Sequence, residues 1–402
     1  MVREPFRRLV GPEQAGAFAL VGLAVLVISS VAFFRVPILP SLGADLHMST
    51  VQLGAITTVF ALGRLVADIP SGHLADRFGA TGLMAAAALG VAVGSGVLGA
   101  APAAAWTLVG AAALGLGASL SHATGMTYFS SAAIQERRGR ALSLFSAALL
   151  GGQALGPAVA GLLAAAGSWR LAMGVGAAAA LLLAAALAFA PLRLIPGSGS
   201  GHPSESTTSS RPRPLLRSET AVLQGVSFTM FFTLGSIPQT LAPVIGADEL
   251  GLSAAAIGLA LGIGGFARLA GTIIGGQVAD RVSRMAALVP GLLVQAIGVA
   301  LLSGGSSVAT WTGSIIVMSL ASFSIPVAAT ILGDRSPPGR VGAALGRFRF
   351  AGDLGLISGP VLVTYLYDHL GRPPAVLSVA ALLTATALLS AVVLGRTLRS
   401  EG

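Results

Sequence analysis

The sequence predicts an all-α membrane protein with twelve transmembrane helices in two pseudo-symmetric six-helix halves. Three observations carry this. The chain has 402 residues, of which 54% are hydrophobic and 10% charged, with a mean hydropathy of +0.85. A soluble domain has too little interior to hide that much apolar surface. Twelve stretches reach the roughly 20 apolar residues that a helix needs to cross a bilayer. Finally, one charged stretch occurs twice. Gly63 to Gly79 reads GRLVADIPSGHLADRFG, and 204 positions on Arg64, Leu65 and Gly72 meet Arg268, Leu269 and Gly276, while Ala75, Asp76 and Arg77 meet Ala279, Asp280 and Arg281. Ser49 and Gly54 likewise meet Ser253 and Gly258. In a chain so poor in charge, three charged positions agreeing at one offset point to a single unit used twice.

In chain order, residues 1–14 form a polar tail with Arg3, Arg7 and Arg8. Helix 1 (15–39) is too long for a signal-peptide core, lacks a small-residue cleavage site after it, and stops near Pro37 and Pro40. Helix 2 covers 51–71, and the charged turn 72–80 leads to helix 3 (81–101). Pro102 separates this from helix 4 (104–131), and the loop QERRGR at 135–140 precedes helix 5 (141–166). Ser168, Trp169 and Arg170 turn into helix 6, which ends near Pro191. Residues 192–218 change character: Gly, Ser, Thr, Pro and Arg dominate, and nothing there is apolar enough to bury. This linker divides an N-terminal half, 1–191, from a C-terminal half, 219–402. Helices 7 (219–243) and 8 (252–276), a second charged turn (277–286), and helices 9 (287–304), 10 (309–332), 11 (341–366) and 12 (373–395) complete the chain.

The net charge of +9 would suit nucleic acid, but its placement argues otherwise. With the N-terminus placed inside, seventeen of the 24 arginines fall on inner segments, two on outer loops and five within helices. This asymmetry predicts a multi-pass protein of the cell (inner) membrane with both termini and the linker in the cytoplasm, and it accounts for the high isoelectric point without a nucleic-acid partner.

Six helices, a linker and six more helices, with GHLADRFG at 72–79 between helices 2 and 3, resemble the major facilitator superfamily. GQVADRVSR at 276–284 is similar to the weaker copy of that signature between helices 8 and 9. The chain departs from the family where basic residues usually follow the glycine, since Ala80, Thr81 and Gly82 stand there. In helix 5, Gly152, Gly156, Pro157 and Gly161 resemble the G-x-x-x-G-P-x-x-G-G pattern of proton-linked antiporters, with Ala160 replacing one glycine. Helix 11 echoes it at Gly355, Gly359 and Pro360. The same residues also read as packing, because small residues at i and i+4 let two backbones approach and proline bends the helix. The resemblance implies the superfamily fold and a drug/proton antiporter branch. It further implies halves that rock about a central site, with helices 1, 4, 7 and 10 lining the cavity, helix 2 meeting helix 11, and helix 5 meeting helix 8.

Ionisable residues inside membrane helices are costly and therefore functional candidates. Arg64 and Asp68 share one face of helix 2; Arg349 and Asp353 share one face of helix 11, with Arg347 half a turn away. With Gly72, Asp76, Arg77 and Gly79, and with Asp280 and Arg281 of the second copy, these residues form either a conformational gate or a static network. Asp353 is the first candidate to carry a proton and Asp68 the second, although a neighbouring arginine favours the charged carboxylate. The candidate cavity residues are Arg35, His122, Gln224, Ser227, Phe231 and Ser322. Arg35 either attracts an anionic substrate group or reaches the outer interface. His122 is either a hydrogen-bonded structural residue or a coupling group that titrates near neutral pH. With Phe228 and Phe232 of helix 7 and Trp311, Ser319 and Phe323 of helix 10, the remaining four give a mostly apolar cavity with a few polar groups, which suits an amphipathic organic molecule.

The expected function is secondary active transport: export of small amphipathic compounds by proton antiport through alternating access, with import by proton symport or facilitated diffusion as the alternative. The partners are the lipid bilayer, a small-molecule substrate and protons, and the chain is expected to be a monomer. Cysteine is absent and the five histidines are scattered, so neither a metal site nor an enzyme's catalytic cluster is expected. No cofactor is expected, no phosphate-binding loop links the protein to ATP, and no extramembrane segment is long enough for an effector domain.

Overall fold

The computed structural model describes residues 15–68, 71–134, 137–189, 215–337 and 340–398, with backbone alone at 15, 71–78 and 396–398. Among these residues, twelve helices are long and apolar enough to cross a membrane. They are α1 (Gly16–Asp45), α2 (Thr50–Asp68), α3 (Gly79–Gly99), α4 (Ala104–Ala132), α5 (Arg138–Ala166), α6 (Trp169–Phe189), α7 (Arg217–Asp248), α8 (Ala254–Arg281), α9 (Arg284–Ser303), α10 (Val308–Arg335), α11 (Val341–Leu370) and α12 (Arg372–Gly395). There is no strand among the described residues. The N-terminal tail and most of the linker expected at 192–218 lie outside them.

Serines start five of these helices. Ser168, Ser253, Ser283 and Ser307 each accept a backbone N–H three residues on, opening α6, α8, α9 and α10. At α2, Ser49 and Gln52 form a reciprocal capping box: the Gln52 N–H donates to Ser49 Oγ, and the Ser49 N–H donates to Gln52 Oε1 at 2.9 Å. Each cap satisfies an end donor that no intrahelical carbonyl reaches. Ser49 and Ser253, matched in the sequence repeat, thus do the same work in both copies.

Proline bends helices here more often than it ends them. Helix 1 was expected to stop near Pro37 and Pro40, yet after a break at Phe34 it resumes as Arg35–Asp45 with Pro40 inside. Pro37 falls in the first turn of that segment, where its missing N–H costs little. Helix 7 was expected to end at 243, yet it widens into a π-helical stretch, Ile237–Leu241, and continues to Asp248. Pro238 lies 204 positions from Phe34, so the two copies break at equivalent places. α10 is interrupted at 321–323. The charged turn expected at 72–80 is mostly helical backbone from Ser71, broken at Gly79, whose φ of +68° favours glycine. The second charged turn was expected to begin at 277, but α8 runs through it to Arg281.

The chain divides into two compact units, Met1–Ile38 with Val59–Thr207, and Leu39–Thr58 with Thr208–Gly402. Each is built alike. In the first, α1 packs on α5, and α3 on α4 and α6; in the second, α7 packs on α11, and α9 on α10 and α12. Between helices in lipid the apolar drive is weak, so close backbone approach carries the association. In the first unit, Gly152 and Gly156 of α5 press against the Leu26 and Ser30 carbonyls of α1, leaving no room for a Cβ. The Ser30 hydroxyl donates to the Gly152 carbonyl at 3.0 Å across that seam. In the second unit, Gly355 and Gly359 of α11 press against the Phe228 and Phe232 carbonyls of α7 in the same way, 203 positions on.

Candidate transport site

The first unit gathers its ionisable membrane residues along α2. Arg35, at the start of the second segment of α1, is fully buried, with its guanidinium stacked 4.2 Å from the centre of the Phe60 ring. It therefore does not reach the outer interface. Arg64 lies one turn beyond Phe60 and acts on Arg35 electrostatically. One turn further, Asp68 Oδ1 accepts a short hydrogen bond from the buried Ser119 hydroxyl of α4. α2 and α4 come this close because Gly63 abuts the Ala112 carbonyl and Gly115 abuts the Phe60 carbonyl. His122, one turn along α4 from Ser119, is half-buried and stacked on Phe145 of α5 at 5.5 Å and 28°. Phe145 continues into an apolar cluster with Phe129 and Phe18, whose rings are 4.2 Å apart.

In the helix 5 motif, Gly152, Gly156, Pro157 and Gly161 are all buried. Two of these form the α1 seam described above, so the packing reading of the motif is realised. The Gly72 backbone is helical, and the Asp76 and Arg77 side chains lie outside the described residues.

In the second unit, Asp353 of α11 is 5% exposed. Its neighbour Gly352 faces α7 so closely that a Cβ there would lie 2.7 Å from both Ser227 Oγ and the Phe231 ring. Ser227 is fully buried, and its hydroxyl has no hydrogen-bond partner among the described residues. Phe231 and Gln224 are half-buried. Ser322 lies in the α10 interruption and donates back to the Met318 carbonyl at 3.1 Å, which closes the turn. Arg347 is exposed and Arg349 half-buried, as a half-turn offset on α11 dictates. Asp280 and Arg281 are exposed in the last turn of α8.

Two features escaped the sequence reading. Arg284 pairs with Asp334, joining the start of α9 to the end of α10. At the other end of the unit, Glu249 accepts from Arg372 and from the Tyr367 hydroxyl, each at 2.8 Å, while Arg372 also donates to the Leu302 and Gly305 carbonyls. As the resemblance implied, helix 2 meets helix 11: the 50–58 stretch of α2 packs on α11, where Gly54 abuts Pro360 and the Thr58 hydroxyl donates to the Ile357 carbonyl at 2.7 Å. Nearby, the Asp368 carboxylate accepts the Val51 N–H at 3.3 Å.

Twelve apolar helices in two identically paired units, with buried charges confined to a few helical turns, define a polytopic membrane transporter. The sequence profile of the Major Facilitator Superfamily matches residues 21–239 and 220–401, so the chain belongs to that superfamily. It is 27% identical over 343 residues to the class C tetracycline resistance protein of Escherichia coli, covering 82% of this chain and 84% of that one. In structure it resembles a bacterial homologue of the human lysosomal transporter Spinster, in an inward-facing and unoccupied conformation, with a TM-score of 0.74 at 14% identity and coverage of 97% and 98%. It also resembles a D-xylose–proton symporter (TM-score 0.71, 20% identity, coverage 92% and 96%) and the human organic anion transporter MFSD10 (TM-score 0.64, 18% identity, coverage 94% and 99%). At these identities the structural likenesses speak for the fold alone.

Proposed function

We propose that this transporter exports small amphipathic compounds in exchange for protons. The observation that carries the reading is the relationship to the tetracycline resistance protein, which spans four-fifths of both chains. The make-up of the candidate site agrees with it. α7 carries Phe228, Phe231 and Phe232 with Ser227 and Gln224 as polar groups, and α10 adds Ser322 and Phe323, a lining that favours an apolar molecule with a few polar substituents. Arg35 is the corresponding contribution of the first unit, and His122 enters as a coupling group. Asp353 and Asp68 are the proton-exchanging candidates, since a carboxylate held within a membrane helix is costly unless it serves a purpose. The repeated charged stretch, through Arg64, Gly72, Asp76, Arg77, Gly79, Asp280 and Arg281 together with Arg347 and Arg349, biases conformational switching.

In this reading the chain works as a monomer with both termini and the 192–218 linker on the cytoplasmic side, as its arginine distribution favours. The test is proton movement in proteoliposomes under an imposed pH gradient, with tetracycline, lipophilic cations, sugars and amino acids offered in turn. Substrate-triggered proton counterflow supports antiport. Proton flow in the same direction as substrate would establish symport, and flux indifferent to the gradient would establish facilitated diffusion; either overturns the proposal.

A further inference from the structure

We infer that His122 and Asp68 form a two-membered proton relay joined through Ser119, with the histidine a coupling group rather than a cavity-lining residue. This rests on the antiport reading above. Two observations converge on it. The Ser119 hydroxyl is fully buried and donates to Asp68, so the carboxylate of α2 is fixed against α4. His122 follows Ser119 by three residues, on the same face of α4 and displaced along its axis by about 4.5 Å.

The chemistry balances without a cofactor. A proton from one aqueous phase is taken up by the neutral imidazole and passes through the Ser119 hydroxyl to the Asp68 carboxylate. Ser119 accepts one proton as it releases another, so its composition is unchanged. The neutral carboxyl then yields its proton to the other phase, one per cycle. A pair suits this task better than a lone aspartate, because an imidazole exchanges protons near neutral pH.

The surroundings of His122 carry few other ionisable groups. α5, on which its ring stacks, bears Arg138 and Arg140 in its first turn; α2 bears Arg64 and Asp68; α1 bears Arg35; and Tyr128 lies further along α4 itself. The described side chains of α3 include none. The stack on Phe145 links protonation to the bundle, since Phe145 and Gly152 lie two turns apart on α5 and Gly152 forms the seam with α1. A charged imidazole would strengthen its hold on the ring face and so bias that seam.

The test has two readouts. In the first, the imidazole signals of the intact protein are followed by NMR as pH is varied, with His122→Gln assigning its resonance among the five histidines. The expected result is that Asp68→Asn lowers the His122 midpoint by at least about 0.5 pH unit, because a neighbouring negative charge has been removed, while the His47 and His369 signals stay in place. A midpoint indifferent to both Asp68→Asn and Ser119→Ala overturns the relay. In the second, proteoliposomes loaded with tetracycline are assayed for proton counterflow between about pH 5.5 and 8 and, separately, for tetracycline exchange without a gradient. His122→Gln is expected to cut counterflow by about tenfold or more and flatten its pH profile, with exchange retained. Ser119→Ala should behave alike and Ser119→Thr should restore coupling. Wild-type counterflow in His122→Gln, or equal loss of counterflow and exchange, overturns the inference. Wild-type protein that moves tetracycline without protons refutes the antiport reading itself.

Discussion

Asp353 and Gly156 show how differently single residues act here. Asp353 is an acid almost sealed within the second unit, one position from Gly352, which lies close against Ser227 and Phe231 of α7. Asparagine keeps its shape and removes its charge. Asp353→Asn is expected to abolish the response of transport to an imposed pH gradient while gradient-free exchange persists, and parallel flux assays on the two variants check this. Gly156 acts through the absence of a side chain. Gly156→Leu would drive a branched side chain into the Ser30 backbone, an overpacking cost of about 1–3 kcal/mol or more, so folded yield and melting temperature should fall. Gly151 is its internal control: a Cβ there meets nothing within 4 Å, and Gly151→Leu should express and melt like wild type in detergent thermal-shift assays. Ser119 marks the limit of sequence reasoning at this scale. Arg64 and Asp68 announced themselves as charges inside an apolar run, but a serine in a membrane helix carries no such signal, and only the packing of α2 on α4 shows which serine meets the carboxylate.

Among the elements, the apolar runs fixed the number and order of helices, because bilayer thickness leaves little freedom in length. Their ends and bends were less legible. Pro37 and Pro40 read as stops, yet α1 continues past them, and α7 runs beyond its expected end at 243, because prolines in a first turn or beside a π-helical stretch cost few hydrogen bonds. The charged stretches read as turns for a related reason. Asp280 and Arg281 look like loop residues by polarity, but helix propensity allows one more turn until Ser283 caps the next helix. The breaks at Phe34 and at Ile237–Leu241 fall at equivalent positions of the repeat, which marks them as properties of the ancestral unit rather than accidents of one half.

For the molecule as a whole, the repeat predicted more than any single motif. The 204-residue offset foretold two units with the same helix pairings, and the structure builds both in the same way. Pairwise contacts such as Arg284 with Asp334 were beyond reach, since charges at helix ends in different loops have no common period. The arginine asymmetry leads to a prediction about orientation. The chain has no native cysteine, so a single introduced thiol reports its own location. Ser306→Cys, between α9 and α10, is expected to react with an impermeant maleimide added to intact cells, while Ser336→Cys, between α10 and α11, should react only after permeabilisation. The reverse pattern would invert the topology.

The cluster around Glu249 has a consequence for how this unit loosens. One guanidinium holds the carboxylate after α7 and two carbonyls, one in the last turn of α9 and one just beyond it, and the Tyr367 hydroxyl holds the same carboxylate from α11. Three connections far apart in the chain therefore share a single fastening and should open as one cooperative patch rather than fray separately. In hydrogen–deuterium exchange, amides around 249–252, 302–307 and 368–373 are expected to become protected or labile together, and Glu249→Gln should accelerate all three at once. Independent exchange rates in the three segments would show that the fastening does not govern their opening.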